Sequence, residues 1–101
     1  MSKYRAIKTT VDNIIFDSKR EAQRYTELKL LFRAGLIQNL ELQPKLDFIL
    51  EGEKIFTYKP DFIYFEGGHR IVEDVKGMKT PVYRLKKKLI EKQLKIQIRE
   101  T

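Results

Sequence analysis

Apolar residues recur at helical spacing between Ser18 and Gly35, and this pattern predicts the first helix. Its apolar positions are Ala22, Tyr25, Leu28, Leu31 and Phe32. Ser18 is followed three positions later by Glu21, which is the arrangement of a capping box at the start of a helix. Gly35 is typical of the residue that ends a helix. The helix is therefore expected to begin just after Ser18 and to end just before Gly35.

The chain after this helix contains segments rich in β-branched and aromatic residues, which are typical of strands. These segments occupy residues 40–50, 55–65 and 70–76, and Pro44 interrupts the first of them. Short glycine-containing turns separate them, and such turns join neighbouring strands into hairpins. We therefore expect a three-stranded antiparallel meander.

A second helix is expected after the meander. Thr80 is a suitable N-cap, and Pro81 fits the first helical position because its missing N–H would have no partner there. The helical pattern continues to about Gln93. The narrow apolar stripe that should face the core comprises Val82, Leu85, Leu89 and Leu94.

Two short strand patterns complete the chain. Residues 11–16 predict a strand that turns at Asp12 and Asn13, and residues 95–99 alternate as a last strand. The order strand, helix, three strands, helix, strand predicts an α/β (α+β) fold. In this fold a mixed central sheet contains the three-stranded antiparallel meander and is flanked by the two helices.

The size and composition of the chain favour one folding unit. The 101 residues are 42% hydrophobic and 35% charged, which is enough apolar material for one small core. No internal repeat or linker divides the sequence. We expect a basic, flexible arm over residues 1–10 and a single domain over residues 11–101.

Cysteine and histidine usage excludes several kinds of site. The chain has no cysteine and one histidine, so disulfide scaffolds, thiol catalysis, cysteine-ligated zinc and histidine-rich metal centres are excluded. Any metal must be held by carboxylates. No apolar run approaches the roughly 20 residues that span a bilayer, and the N-terminal residues lack the apolar stretch of a signal peptide. We expect a soluble cytoplasmic protein without a membrane partner.

The net charge of +7 is concentrated at the two ends of the chain. Residues 11–78 carry ten basic and twelve acidic residues, whereas residues 79–101 carry eight basic and two acidic residues. The first ten residues add three more basic side chains. Such basic flanks favour a polyanion as the partner. Nucleic acid is favoured over an acidic membrane surface.

Three residues of the expected meander could carry chemistry. Asp61 follows a proline, and Asp74 and Lys76 stand two positions apart, so strand alternation places the latter two on one face of the sheet. Adjacent strands would bring Asp61 beside them. Two carboxylates can hold a hard cation such as Mg²⁺, and a nearby ammonium can stabilise charge that develops on phosphate. These are the components of phosphodiester hydrolysis, although an ordinary surface ion pair would use the same residue types.

At these residues the sequence resembles the PD-(D/E)XK nuclease superfamily. The motif is Pro60-Asp61, twelve intervening residues, and then Asp74-Val75-Lys76. Within the superfamily it resembles a family of small phage-borne endonuclease-like proteins over about residues 3–99. The stretches that carry the resemblance are FDSKREAQRYTEL, LELQPKLDF, YKPDFIYF and VEDVKGMKTPVYRLKKKL. The resemblance implies a restriction-endonuclease-like core: a helix, a three-stranded meander that carries the motif on its second and third strands, a helix and a strand.

The resemblance also implies a role for each motif residue. Asp61 and Asp74 would ligate Mg²⁺, which Mn²⁺ can replace, and the main-chain carbonyl of Val75 would add a ligand. Lys76 would position the attacking water. Glu21 matches the acid that superfamily members carry on the first helix, where it completes the metal site. A capping box also explains Glu21 without a metal, so its role stays open between ligand and helix cap, and the metal site is the favoured role.

Two further polar residues near the motif have no firm role. Glu73 should point to the sheet face opposite Asp74, where a buried charge needs solvent or a partner such as Arg70 or Lys59. Gln43 precedes Pro44 at the interruption of the first meander strand, and it fits a position near the site and a purely structural kink equally well.

The second helix and the residue that precedes it are strongly basic, and we expect them to contact nucleic acid. Cationic side chains bind backbone phosphates and add affinity that depends on salt but not on sequence. A tyrosine among them could stack on a base. The alternative is a solvated helix face. The expected contact residues are Lys79, Thr80, Tyr83, Arg84, Lys86, Lys87 and Lys88.

The resemblance and the charge pattern together predict a metal-dependent DNA endonuclease. A small domain offers little surface for reading bases, so selectivity for DNA structure is more natural than sequence recognition. The alternative is a non-catalytic nucleic-acid-binding accessory protein with a nuclease-like fold. RNA as substrate and a homodimer that cuts two strands stay open. The resemblance implies a phage-encoded protein that acts in the cytoplasm of a host bacterium.

Overall fold

The structure is a computed structural model that describes residues 7–76 and 79–101. The arm expected over residues 1–10 lies mostly outside these ranges and stays a prediction, although Thr9 and Thr10 already belong to the first strand. In chain order the elements are β1 (Thr9–Val11), β2 (Ile14–Phe16), α1 (Lys19–Arg33), β3 (Gln38–Leu42), β4 (Leu46–Leu50), β5 (Glu53–Tyr58), β6 (Phe62–Glu66), β7 (His69–Asp74), α2 (Pro81–Leu94) and β8 (Ile98–Glu100).

Three hairpins are closed by two-residue turns of one kind. Both central residues of each turn have positive φ, between 52° and 80°, as a type I′ turn requires. This geometry matches the right-handed twist of the strands that it joins, and glycine, asparagine and aspartate adopt it most readily. The turns expected near Asp12 and in the two glycine-containing segments are confirmed. The turn pairs are Asp12-Asn13, Glu51-Gly52 and Gly67-Gly68.

The central sheet contains four strands in the order β3, β6, β7, β8. The pairs β3–β6 and β6–β7 are antiparallel, whereas β8 lies parallel to β7. A parallel neighbour needs a crossover connection, and α2 supplies it. The strands β4 and β5 form a separate antiparallel hairpin. The expected α+β class with a mixed sheet and two helices is therefore confirmed.

The interruption expected at Pro44 is confirmed, whereas the prediction of one strand over residues 55–65 is wrong. Each segment breaks at a proline, because proline lacks the N–H that a sheet interior requires. Pro44 separates β3 from β4, and Pro60 separates β5 from β6. The hairpin β4–β5 thereby leaves the central sheet. Gln43, with a φ of 48°, starts this departure, and its N–H donates to the carbonyl of Asp61 at 2.9 Å.

The central sheet is covered on both faces. Phe62 and Tyr64 of β6 point to the side of α1, where they pack with Phe16 and Leu28. Ile63 of the same strand points to the other side and packs with residues of α2, β8 and the β4–β5 hairpin. Burial on both faces leaves the ends of the strands as the accessible parts of the sheet.

The predicted apolar stripe of α2 is partly confirmed, because Leu94 packs against the core but the first two positions do not. Val82 and Leu85 are 62% and 59% exposed, and the buried position is Ile90. The inward face also contains Tyr83, which the sequence analysis assigns to nucleic-acid contact rather than to the core. The last strand also begins later than expected, because Lys95 ends α2 with a positive φ of 56°. Among the described residues, no helix is long and apolar enough to cross a membrane.

Candidate active site

Three acidic side chains from separate parts of the chain lie together where β7 ends. Glu21 is in the first turn of α1, Asp61 immediately precedes β6, and Asp74 is the last residue of β7. The backbone pairing of Asp61 N–H with the carbonyl of Glu73 at 3.1 Å holds the bend before β6 against this strand end. Asp61 and Asp74 are therefore neighbours, as the sequence predicts. We call Glu21, Asp61 and Asp74 the carboxylate cluster.

Asp74 is fully buried and has one oxygen without a hydrogen-bond partner. The hydroxyl of Tyr58 donates to Oδ2 of Asp74. In the described part of the chain, Oδ1 of Asp74 is the one buried side-chain oxygen or nitrogen that has no such partner. The ammonium Nζ of Lys76 lies 3.6 Å from Oδ1, which supplies opposite charge without a hydrogen bond. A buried, unpartnered carboxylate oxygen is costly, and a missing ligand is one of its few explanations.

The electrostatics of Asp61 also favour a cation. The pKa of Asp61 is raised to about 8, chiefly by burial and then by the negative charges of Glu21 and Asp74. A hydrogen bond from the N–H of Val75 to Oδ2, at 2.7 Å, opposes this rise. Burial likewise raises the pKa of Glu21. A divalent cation would relieve the repulsion among these carboxylates, and strongly shifted pKa values in a cluster are typical of functional sites.

The carboxylate cluster is not arranged as a closed metal site. Among residues 7–76 and 79–101, no group of three histidine, cysteine or acidic residues is placed so that it could hold a metal ion. Instead, Asp61 and Asp74 each direct one oxygen to a protein donor. Mg²⁺ requires few protein ligands and completes its octahedron with water and substrate phosphate, so two carboxylates are sufficient donors. The free oxygen of Asp74 beside Asp61 therefore fits a hard cation.

The two interpretations of Glu21 are compatible. Its N–H donates to Oγ of Ser18 at 3.1 Å, which is the helix-capping half of the motif. Its carboxylate is turned to the other side, where Nε2 of Gln43 lies 3.5 Å from Oε1. Ser18 thus caps α1 by accepting the backbone N–H of Glu21, while the side chain of Glu21 belongs to the carboxylate cluster. Gln43 lies near the site, and its positive φ also makes it the residue at the strand break.

Lys76 lies between Asp74 and an aromatic ring. Its ammonium is 4.5 Å from the centroid of the Tyr83 ring, within the range of a cation–π interaction. The hydroxyl of Tyr83 donates to Glu100 at 2.8 Å, which holds the ring in place. Tyr83 is therefore packed beneath Lys76 and bonded to β8. Lys76 thus covers part of the ring that base stacking would use.

The expected nucleic-acid contacts of α2 divide into paired and unpaired residues. Lys79 lies 3.1 Å from Glu100, and Lys87 lies 3.6 Å from Glu91 and 4.0 Å from Glu100. Thr80 caps the helix by accepting the N–H of Tyr83 at 3.1 Å.

The other three expected contact residues make no salt bridge within the described ranges. The ammonium of Lys86 lies 5.5 Å from the ring centroid of Phe56. Arg84 and Lys88 are exposed and four positions apart, so they lie on one side of α2. These two cations are the most available for phosphate.

Glu73 serves the fold rather than the site. It points to the face opposite Asp74, as expected, but its partner is neither Arg70 nor Lys59. Arg24 of α1 donates to it from Nε at 2.6 Å and from Nη2 at 3.0 Å. Glu73 accepts two further hydrogen bonds, from Tyr64 and Thr101. A fully buried carboxylate with four donors has no capacity left for a metal.

Sequence reasoning missed Tyr58 as a member of the site. In the strand predicted over residues 55–65, alternation places Tyr58, Phe62 and Tyr64 on one core face, but Pro60 separates Tyr58 from the other two. Only the folding of β5 over the central sheet brings its hydroxyl to Asp74. The one available signal was the position of Tyr58 three residues before Asp61, on the opposite side of the proline.

Comparison with known proteins identifies a family. No curated protein and no solved structure shows a significant match to the chain. One family model, described as "Protein of unknown function (DUF1064)", matches residues 1–101. That description names no activity, so the chemistry must come from the geometry above. Because the match extends over all 101 residues, the chain belongs to the DUF1064 family.

Proposed function

We propose that this protein is a metal-dependent DNA endonuclease that hydrolyses phosphodiester bonds. The observation that carries the proposal is the buried Oδ1 of Asp74, which lacks a hydrogen-bond partner within the described residues and lies 3.6 Å from the ammonium of Lys76. An ordinary ion pair on a solvated sheet face would be exposed to water and would need no further ligand. The full burial of Asp74 argues against that simpler interpretation.

The topology supports a restriction-endonuclease-like core. The helix α1 precedes three antiparallel strands, β3, β6 and β7, and α2 then leads to the parallel strand β8. This is the order that the resemblance implies, with the β4–β5 hairpin inserted between the first and second strands. Asp61 immediately precedes the second strand, and Asp74 is the last residue of the third. These positions agree with the second and third strands that the resemblance implies for the motif, and this agreement supports the proposal.

The carboxylate cluster would hold the cation. Asp61 and Asp74 would ligate Mg²⁺ or Mn²⁺, and Glu21 would lie beside it as a third acid that accepts hydrogen bonds from bound water. The Val75 carbonyl is the third proposed ligand. When bound, the cation supplies a Lewis acid that polarises the phosphate.

Lys76 would act on the substrate itself. Its ammonium carries the nearest positive charge to Asp74, and the ring of Tyr83 limits its movement. A cation held in place can orient a water molecule for attack and can stabilise the negative charge that develops on the phosphate oxygens. Because Lys76 is only 28% exposed on its side chain, this interaction is screened less than one on an open surface.

The substrate is most consistent with DNA of altered structure. The exposed cations Arg84 and Lys88 lie on the helix that follows the motif, so they can bind phosphates next to the one that is cut. Phosphate contacts carry no sequence information. Selectivity for branched, nicked or single-stranded DNA therefore fits the site better than reading of a base sequence.

The direct test is cleavage by the parent protein and by Asp74→Asn. Supercoiled plasmid, single-stranded DNA, a four-way junction and a matched RNA are incubated with Mg²⁺, Mn²⁺ or EDTA. We expect metal-dependent cleavage by the parent and background cleavage by Asp74→Asn, which loses the charge. The asparagine oxygen can still accept the hydroxyl of Tyr58, so the fold and DNA binding should be retained.

The control is Asp47→Asn, purified in the same way. Asp47 is an exposed aspartate on the β4–β5 hairpin whose carboxylate accepts from Thr57 at 2.6 Å. This variant should cut like the parent. Equal cleavage by the parent and Asp74→Asn would show a contaminating nuclease. If the parent binds DNA but cuts no substrate with either metal, the protein is a non-catalytic binding module and the proposal fails.

DNA affinity should depend on Arg84 and Lys88. Replacing both with glutamine removes two expected phosphate contacts. For a duplex, each contact contributes about 0.9 to the slope of log affinity against log salt, so the slope should fall by about 1.8. Binding measured by fluorescence anisotropy between low and moderate salt would show this change.

The matched control for this change is Arg33→Gln with Arg70→Gln, which removes the same net charge. Both residues are exposed, and each lies at the end of its element remote from the carboxylate cluster. We expect its salt slope to equal that of the parent. An identical slope in the Arg84 and Lys88 variant would exclude α2 from the DNA contact.

A further inference from the structure

We infer that Tyr58 is a positioning residue of the active site, which fixes the carboxylate of Asp74 so that Oδ1 is presented to a divalent cation. This inference rests on the proposed function and adds a residue that neither the motif nor the family description contains. Tyr58 contacts neither substrate nor cation in this role. It acts through the hydrogen bond that its hydroxyl donates to Oδ2.

The geometry distinguishes the two oxygens of Asp74. A carboxylate group can rotate about its terminal bond, so a lone aspartate presents either oxygen. Tyr58 satisfies Oδ2, whereas Oδ1 has no hydrogen-bond partner in the described chain. Because Tyr58 and Asp74 are both buried, water does not compete for this hydrogen bond. The site is therefore held in a ligand-ready orientation before any cation arrives.

The anchoring of Tyr58 explains why it can hold this orientation. It is the last residue of β5 and pairs with Leu46 of β4 in the hairpin that lies over the sheet. Its ring packs with Ile63, Val72 and Ile90 in the core on the α2 side. Pro60, which is also buried, follows two residues later and turns the chain toward Asp61. One short segment thus supplies the donor to Asp74 and the neighbouring carboxylate.

The test is a titration of metal-free protein with Mn²⁺. The electron paramagnetic resonance signal of the free ion reports how much Mn²⁺ is bound. Residues that orient a metal ligand typically change metal affinity by about 10- to 100-fold when they are removed. We expect Tyr58→Phe to raise the Mn²⁺ dissociation constant by about this factor. Cleavage by Tyr58→Phe should recover toward the parent rate at high Mn²⁺, whereas Asp74→Asn should not recover.

Tyr64→Phe is the matched control. Tyr64 is also buried, and its hydroxyl donates to a buried carboxylate of β7, that of Glu73, at 2.6 Å on the opposite face. Each substitution removes one buried tyrosine hydroxyl that donates a hydrogen bond to one buried carboxylate. A purely structural role would make the two variants bind Mn²⁺ alike. Parent-like affinity in Tyr58→Phe overturns the inference alone, whereas absence of Mn²⁺ binding and cleavage in the parent overturns the proposed function with it.

A measurement on the unaltered chain covers the case in which Tyr58→Phe does not fold. Tyrosine labelled with ¹³C at the ring carbon that bears the hydroxyl gives one resonance for each tyrosine. Titration with diamagnetic Mg²⁺ should move the resonance of Tyr58, because the cation draws charge from the carboxylate that accepts its hydroxyl. The resonance of Tyr64 should stay in place. A Tyr58 resonance that does not move while Mg²⁺ binds would contradict the inference.

Discussion

Replacing Lys76 with alanine should slow DNA cleavage by about 10²- to 10³-fold, the usual cost of removing one group that stabilises charge in the transition state. Metal affinity should be retained or increased. Lys76 places a positive charge 3.6 Å from the oxygen of Asp74 that would meet the cation, and its removal lessens repulsion there. Single-turnover cleavage and Mn²⁺ binding, measured on the same preparation, separate the two effects.

The control for this substitution is Lys54→Ala, which removes an exposed lysine at the start of the β4–β5 hairpin's second strand. Lys54→Ala should change neither the rate of cleavage nor the affinity for Mn²⁺. If Lys76 were only the ion-pair partner of Asp74, its loss would leave the turnover at saturating metal unaltered. Parent-like turnover in Lys76→Ala would therefore remove this lysine from the catalytic set.

Replacing Arg24 with alanine should lower the free energy of unfolding by about 3–5 kcal/mol, the usual cost of breaking a buried ion pair by removing one partner. Arg24 donates two hydrogen bonds to Glu73, which is fully buried. Without the guanidinium, Glu73 would be left as a buried charge with two neutral donors. Urea unfolding followed by circular dichroism measures the difference.

The matched control is Arg20→Ala, one turn earlier on α1, where the arginine is exposed. Its effect should stay within about 0.5 kcal/mol, as for other surface substitutions. An equal loss of stability in the two variants would show that the long side chains matter for packing alone and that the pair with Glu73 contributes nothing specific.

The contribution of the Arg24–Glu73 pair to the free energy of unfolding should depend on pH. Hydrogen bonds from Arg24 and Tyr64 outweigh burial and hold the pKa of Glu73 below its ordinary value of 4.5. A lowered pKa in the folded state stabilises the protein above that value, and the stabilisation is lost as the pH falls through the folded-state pKa. The parent should therefore lose stability below about pH 4.5. Below that pH, the difference in the free energy of unfolding between the parent and Arg24→Ala should become smaller.

Local chemistry explains the elements that the sequence predicts well. Ser18 caps α1 and Thr80 caps α2 through their own side chains, so each start is encoded within three residues. The type I′ turns are likewise encoded by adjacent residue pairs. The prolines at positions 44 and 60 carried a local signal as well, but its consequence is not local. A proline predicts that the strand breaks, but it does not predict which strand the following segment will pair with.

The face of α2 shows the limit of pattern reading. Val82 and Leu85 satisfy a helical stripe as well as Ile90 does, yet they lie at the surface. The inward face is selected by what the sheet and the β4–β5 hairpin offer, and Tyr83 enters it because Glu100 provides a partner for its hydroxyl. A polar residue can therefore belong to a core when the fold supplies its hydrogen bond.

The sequence by itself determined the helix starts, the turns and the α+β class, because capping and turn chemistry act over a few residues, and it singled out Asp61, Asp74 and Lys76 as candidates. Only the tertiary structure decided which donors surround each carboxylate. It directs Arg24 to Glu73 and Tyr58 to Asp74, two neighbouring acids on opposite faces of β7. The partners lie 49 and 16 positions away, so no local pattern encodes them. Buried charges are satisfied through space, and their environments exist only after the sheet, the helices and the hairpin have packed.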